Sequence, residues 1–218
     1  MPIFECSRCN EMTYSASFGT TADACARCGS RRQRVVDGGF DEARRSNRTL
    51  AAGDHAALVY DDAATVAPFC ARFLTDGVNA GERVVAGLQG DLREAVCALL
   101  APDVELAVEW EDPRSIYGDF DADRVAGSYE ALIAAESRTT RILAGPDGES
   151  AESIDIEDFA RYERIAHGII TAHGAVVVCV FSAGSLAPEL IDVGLRRHGL
   201  SVEDGVVRRN ERFEYEPA

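Results

Sequence analysis

The stretch Ala175-Val-Val-Val-Cys-Val-Phe181 is apolar at every position. A strand wetted on one face alternates polar and apolar residues. One without alternation is buried on both faces, as an interior strand of a helix-covered parallel sheet must be. The rest of the chain after residue 50 fits that demand. Ala56–Tyr60, Arg83–Leu88, Glu105–Trp110 and Arg141–Gly145 read as further strands. Between and after them, Ala64–Ala80, Asp91–Leu100, Asp121–Arg138, Ile156–His173 and Pro188–His198 read as helices. Val206–Arg209 and Arg212–Glu216 read as a terminal hairpin or edge pair. Strand–helix alternation of this kind implies an α/β fold: a mostly parallel sheet with helices on both faces.

The first 50 residues are different. Cys6-x-x-Cys9 and Cys25-x-x-Cys28 set four cysteines in two pairs, spaced C-x2-C-x15-C-x2-C. Two residues between thiolates let one tight turn present both sulfurs to a single ion, and two such turns supply the tetrahedral sulfur set zinc prefers. The expected ion is one structural Zn²⁺ per chain on Cys6, Cys9, Cys25 and Cys28. Two disulfides and a rubredoxin-type iron site are the competing readings; an intracellular chain disfavours the disulfides. Four thiolates leave no open coordination position, so the role expected is structural. The expected organisation is a zinc ribbon over 1–34, a linker over 35–52 and an α/β domain over 53–218.

Charge restricts the partners. The net charge is −15. Residues 1–50 carry 8 Arg against 6 Asp and Glu, a balance of +2, and the remainder carries −17. So acidic a body repels nucleic acid and anionic membrane. The Arg-rich stretch through Arg31, Arg32, Arg34, Arg44, Arg45 and Arg48 is a solvated linker or a docking segment for an acidic neighbour, with phosphate contact the lesser reading. No apolar run approaches the roughly 20 residues of a membrane span. The start Met1-Pro2-Ile3-Phe4-Glu5-Cys6 has no secretory pattern, so a cytoplasmic location is expected. The chain has no lysine: all 22 basic residues are Arg. P-loop, Schiff-base and lysine general-base chemistry are thereby excluded.

Several patches, in order, resemble the MEDS sensory domain, named for methanogens, methylotrophs and a dichloromethane-responsive repressor. They are Gly53-Asp54-His55 leading to Tyr60-Asp61, Phe73-Leu74-x-x-Gly77 before Gly81-Glu82-Arg83, and Tyr117-x-x-Phe120-Asp121. Tyr162-Glu163, Cys179-x-Phe181, Pro188-Glu189-Leu190 through His198, Asn210 and Tyr215 continue the series. The likeness spans about residues 50–217. It implies a RecA/KaiC-like fold without a P-loop and a non-enzymatic sensory role toward a small, hydrocarbon-type ligand, relayed to a protein partner. An interaction module without a small ligand, or a ribbon-mediated transcription-associated regulator, is the alternative.

The resemblance makes His55, Tyr60, Glu163 and Cys179 the candidate ligand-binding residues. Each has a simpler reading. His55 can be a strand-end histidine bonded to backbone, and Glu163 a solvated helix position. Cys179 can be a buried small hydrophobe. Cys70 and Cys97 are expected in the core. His173 and His198 each precede a glycine and are read as helix ends. His167 shows no partner in the sequence. Neither Gly145-Pro146-Asp147-Gly148 nor Ser182-Ala-Gly184-Ser185 matches a nucleotide cradle or a nucleophile elbow.

Overall fold

The computed structural model describes residues 3–6, 12–14, 25, 33–36, 49–135, 137–146 and 148–214. Near the N-terminus, β1 (Ile3–Cys6), β2 (Met12–Tyr14) and β3 (Gln33–Val36) form an antiparallel sheet in the order β2-β1-β3. Cys6 and Cys25 are buried. Cys9 and Cys28, the other two expected zinc ligands, lie outside the described residues, as does most of the expected linker.

The second sheet has seven strands in the order β10-β9-β4-β8-β7-β5-β6. They are β4 (His55–Tyr60), β5 (Arg83–Gly87), β6 (Glu109–Trp110), β7 (Thr140–Ala144), β8 (Val176–Ser182), β9 (Leu200–Glu203) and β10 (Val206–Arg209). All neighbours pair in parallel except β9 with β10. The apolar run Ala175–Phe181 becomes β8, held between β4 and β7. The mostly parallel sheet expected from the sequence is therefore present.

Alternate residues of each strand feed opposite cores, as the period of two requires. Ala56, Leu58, Val84 and Val178 pack under α1 (Ala63–Asn79), α2 (Gly90–Cys97) and α3 (Pro102–Ala107). Ala57, Val85, Val177, Cys179 and Phe181 face the other way. That second core is closed by α5 (Ala122–Ala134), α7 (Ile156–His173) and α8 (Pro188–Arg197). Two short helices, α4 (Pro113–Tyr117) and α6 (Gly148–Ala151), lie in the connections. Local chemistry sets the ends. Asp62, Asp121 and Asp155 cap α1, α5 and α7 with side-chain oxygens. Gly174 ends α7 at φ +71, the left-handed conformation expected after His173.

Two expectations are corrected. Glu105–Trp110 is not one strand: its first half belongs to α3, and only Glu109–Trp110 joins the sheet. Pro102 opens that helix with a preset φ, and Asp103 and Glu105 in its first turn suit the helix dipole. The terminal hairpin is β9 with β10; of the expected partner Arg212–Glu216, residues 212–214 are not in a strand and the rest lie outside the described residues. Its turn is Asp204-Gly205, both at positive φ, which is the Asp-Gly chemistry of a two-residue hairpin.

Candidate functional site

Gly53 turns into β4 at φ +89 and donates its amide to Ala175 O. Asp54 accepts the Ala51 amide through its carboxylate at 2.8 Å. His55 follows as the first residue of β4, on the same face as Ala57 and Val59. That face is the one covered by α7 and α8. Cys179 lies on the adjacent strand β8, opposite Ala57 in register. His55 Nε2 stands 3.2 Å from Cys179 Sγ.

Glu163 reaches the same spot from α7. It shares the helix face of Phe159, Ala166 and Ile170 and is 2% exposed, so the solvated reading of this residue is overturned. Its Oε2 lies 3.9 Å from His55 Nε2 and 3.7 Å from His198 Nε2.

His198 completes the group, and the sequence reading placed it elsewhere. It caps α8 in an extended conformation and is 0% exposed. Its Nδ1 donates to Gly194 O at 2.6 Å. The helix-end role expected of it is thus present, but the ring also points inward, 3.8 Å between centroids from His55. A signal was available: Leu190, Gly194 and His198 follow one another at helical spacing, so the buried stripe of α8 runs on into the histidine.

Tyr60 does not join this group. It sits five residues along β4 from His55, so its side chain leaves the opposite face and packs toward the other core. It lines a crevice of about 510 Å³ at the carboxyl ends of β4, β5, β7 and β8, with Gln89, Arg114 and Ser182. Ligands of parallel sheets usually sit in such crevices. Here the strand is followed by Asp61 and Asp62, and Asp62 is committed to capping α1. At the neighbouring turn, Leu186 donates its amide to Ser182 O, closing the loop before α8.

Burial governs the ionisation of the cluster. It raises Glu163 to about 8, with Arg197 opposing the shift. It lowers His198 to about 3, against the Gly194 hydrogen bond. His55 falls well below its ordinary value through burial, then through His198 and His167. Cys179 rises well above its own through burial and Glu163. Every shift in the cluster favours the neutral form: a carboxylic acid, a thiol and two imidazoles.

Three buried atoms of the cluster lack a hydrogen-bond partner among the described residues: His55 Nδ1, Glu163 Oε2 and His198 Nε2. Each such atom costs about 1–3 kcal/mol and demands an explanation. One donor atom from each of His55, Glu163, Cys179 and His198 lies within 4.8 Å of the others.

Beside the cluster runs a row of buried phenols. Tyr117 Oη is 3.4 Å from Tyr129 Oη, and Tyr162 packs edge-on against both rings. Burial raises the pKa of all three phenols, and Cys179 and Glu163 are close enough to raise it further. Tyr129 also borders a largely apolar cavity of about 240 Å³, lined by Val85, Ile116, Leu132, Ile142 and Ala144 together with Glu111, Ser115 and Ser128.

A family model described as the methanogen/methylotroph, DcmR sensory domain (MEDS) matches residues 54–199. No curated protein matches the chain. Among solved structures, the RadB recombinase is similar at a TM-score of 0.45 and 16% identity, over 70% of this chain and 74% of that one. The flagellar accessory protein FlaH from Methanocaldococcus jannaschii is similar at a TM-score of 0.46 and 10% identity, over 77% of this chain and 84% of that one. Among the described residues, no helix is long and apolar enough to cross a membrane.

Proposed function

The chain belongs to the MEDS sensory-domain family, and from that premise we propose that it is a non-enzymatic signalling protein that senses a small, hydrocarbon-type ligand and relays the event to a protein partner. The observation that carries this reading is the apolar cavity of about 240 Å³ bordered by Tyr129. Its volume is below that of a drug-sized pocket, which suits a molecule of few heavy atoms. Its walls combine five aliphatic side chains with the polar Glu111, Ser115 and Ser128, and its one phenol belongs to the row that ends at Cys179 and Glu163.

A ligand shifts a protein between states only by binding them unequally. In this reading the occupied cavity fixes Tyr129 on α5. The phenol row passes the change to the cluster, where β4, β8, α7 and the end of α8 meet. The α7–α8 layer is the surface a partner would read. The chain's own groups suit a role without turnover: burial favours the protonated thiol and carboxyl, and no lysine exists to activate a nucleophile.

We further propose that Cys6, Cys9, Cys25 and Cys28 hold a structural Zn²⁺. The burial of Cys6 and Cys25 beside a three-stranded sheet fits a sulfur-lined centre. When bound, the ion would supply folding free energy to a segment too small to build a core.

The test is a thermal-shift screen of the full chain with small apolar compounds, alongside native mass spectrometry of the protein as purified. The reading expects one compound class to raise the melting temperature, and a cavity-filling Leu132→Phe variant to abolish that response. A flat screen, with no small-molecule mass retained, would overturn it.

A further inference from the structure

We propose that His55, Glu163, Cys179 and His198 form a second, mixed-ligand metal site that takes a divalent transition-metal ion of the zinc class. The site is separate from the four-cysteine set and independent of what fills the cavity beside Tyr129.

The donor spacing supports it. A tetrahedral ion with bonds of about 2.0–2.3 Å holds its ligand atoms about 3.3–3.8 Å apart. His55 Nε2 to Cys179 Sγ is 3.2 Å, Glu163 Oε2 to His198 Nε2 is 3.7 Å, and Glu163 Oε2 to His55 Nε2 is 3.9 Å. The remaining separations stay within 4.8 Å, a spread that small side-chain rotations close. Three secondary-structure elements and one helix cap converge to make this set, so no local turn explains it.

The chemistry of the donors narrows the ion. One thiolate and two imidazoles favour zinc and its neighbours in the transition series; calcium and magnesium take oxygen sets. The outer contacts agree. His198 donates Nδ1–H to Gly194 O, which fixes the tautomer and leaves the Nε2 lone pair facing the centre. Gly194 also lets the Phe181 ring pack close against α8, because a Cβ there would come within 2.7 Å of Phe181 Cζ. Charge is balanced too: a divalent ion on one thiolate and one carboxylate leaves the buried site neutral, with the two displaced protons passing to solvent. Two of the three orphaned atoms, Glu163 Oε2 and His198 Nε2, become ligands. With four protein donors the coordination sphere is closed, so the ion would organise the α7–α8 layer rather than react.

The experiment is metal stoichiometry on the full chain, stripped under reducing conditions and reloaded with zinc or cobalt(II). The expected result is that Cys179→Ser and His198→Asn each lose one ion per chain relative to wild type, whatever the four-cysteine set retains. Asn keeps a donor near Gly194 O while deleting Nε2. In a Cys6→Ser/Cys25→Ser background, the remaining cobalt should show a thiolate charge-transfer band that Cys179→Ser removes. Should circular dichroism reveal misfolding in either variant, Glu163→Gln takes its place, with metal affinity expected to fall at least tenfold. Equal metal content in wild type and in folded variants, or a second ion lost only with the N-terminal cysteines, overturns the proposal. Loss of the small-compound response with this ion intact would instead count against the sensing reading alone.

Discussion

His198 Nδ1 donates to the carbonyl oxygen of Gly194 at 2.6 Å, and that bond turns Nε2 toward Glu163 Oε2, 3.7 Å away. One histidine thereby closes the last turn of α8 and faces a buried carboxyl. The two tasks separate by mutation. His198→Ala loses the bond and leaves a cavity, for an expected loss of about 2–4 kcal/mol in denaturant unfolding. His198→Asn, which can keep a donor near Gly194 O, should lose about half as much.

Stability of the metal-free protein should peak near pH 6.5. Glu163 is raised from 4.5 to about 8, so its contribution is full below 4.5 and is lost as pH rises to 8. His55 and His198 are depressed from 6.5, so theirs is full above 6.5 and is lost as pH falls. Between 4.5 and 6.5 the two histidines outweigh the one acid; above 6.5 the acid acts alone. The charged and titratable neighbours include Cys179, His167, Arg197, Tyr117, Tyr129 and Tyr162, and the cysteine and phenols ionise only at higher pH. Melting curves from pH 5 to 9 should show a loss of about 2 kcal/mol between 6.5 and 8. A flat profile over that interval would refute the burial of an ionisable Glu163.

Glu163→Gln provides the control. The amide cannot ionise, so the decline above pH 6.5 should vanish. At pH 8.5 the variant should melt no lower than wild type, and at pH 6 within a few degrees of it. Differential scanning calorimetry at the two pH values decides the point.

Gly145→Ala should be among the most damaging single substitutions. A Cβ there would meet Val180 O at 1.9 Å, a clash with strand backbone that no side-chain rotation relieves. The expected loss exceeds about 3 kcal/mol and would register as low soluble yield or a collapsed melting transition.

Tyr60→Ala tests the separation of the two faces. Tyr60 borders the crevice at the strand ends and the core away from α7. The substitution should lower stability by about 1–3 kcal/mol while leaving the position of the pH maximum unchanged. A shifted maximum would mean that Tyr60 communicates with the cluster.

Much of the fold was legible in the chain. The unbroken apolar run that becomes β8 can only be buried on both faces, and the alternation around it leaves a parallel sheet as the way to do so. Caps at Asp121 and Gly174 were readable because they depend on neighbours in sequence. Pro102 and Asp204-Gly205 carried local signals as well; a short alternation of apolar residues competes with the first, and the apolar and charged residues after Val206 compete with the second.

The candidate site divides along the same line. Residue types and a family likeness were enough to select His55, Glu163 and Cys179. They were not enough to add His198 or to part Tyr60 from the rest. Parity along β4 turns Tyr60 to the opposite face, but which face meets α7 depends on how the sheet is covered. His198 lies 143 residues from His55 in the chain, and only the parallel insertion of β9 beside β4 brings the two rings together. The burial that favours the neutral form of all four groups belongs to none of them singly. It arises when two strands, a helix and a helix cap close on one point and exclude water, and so tertiary structure alone decided it.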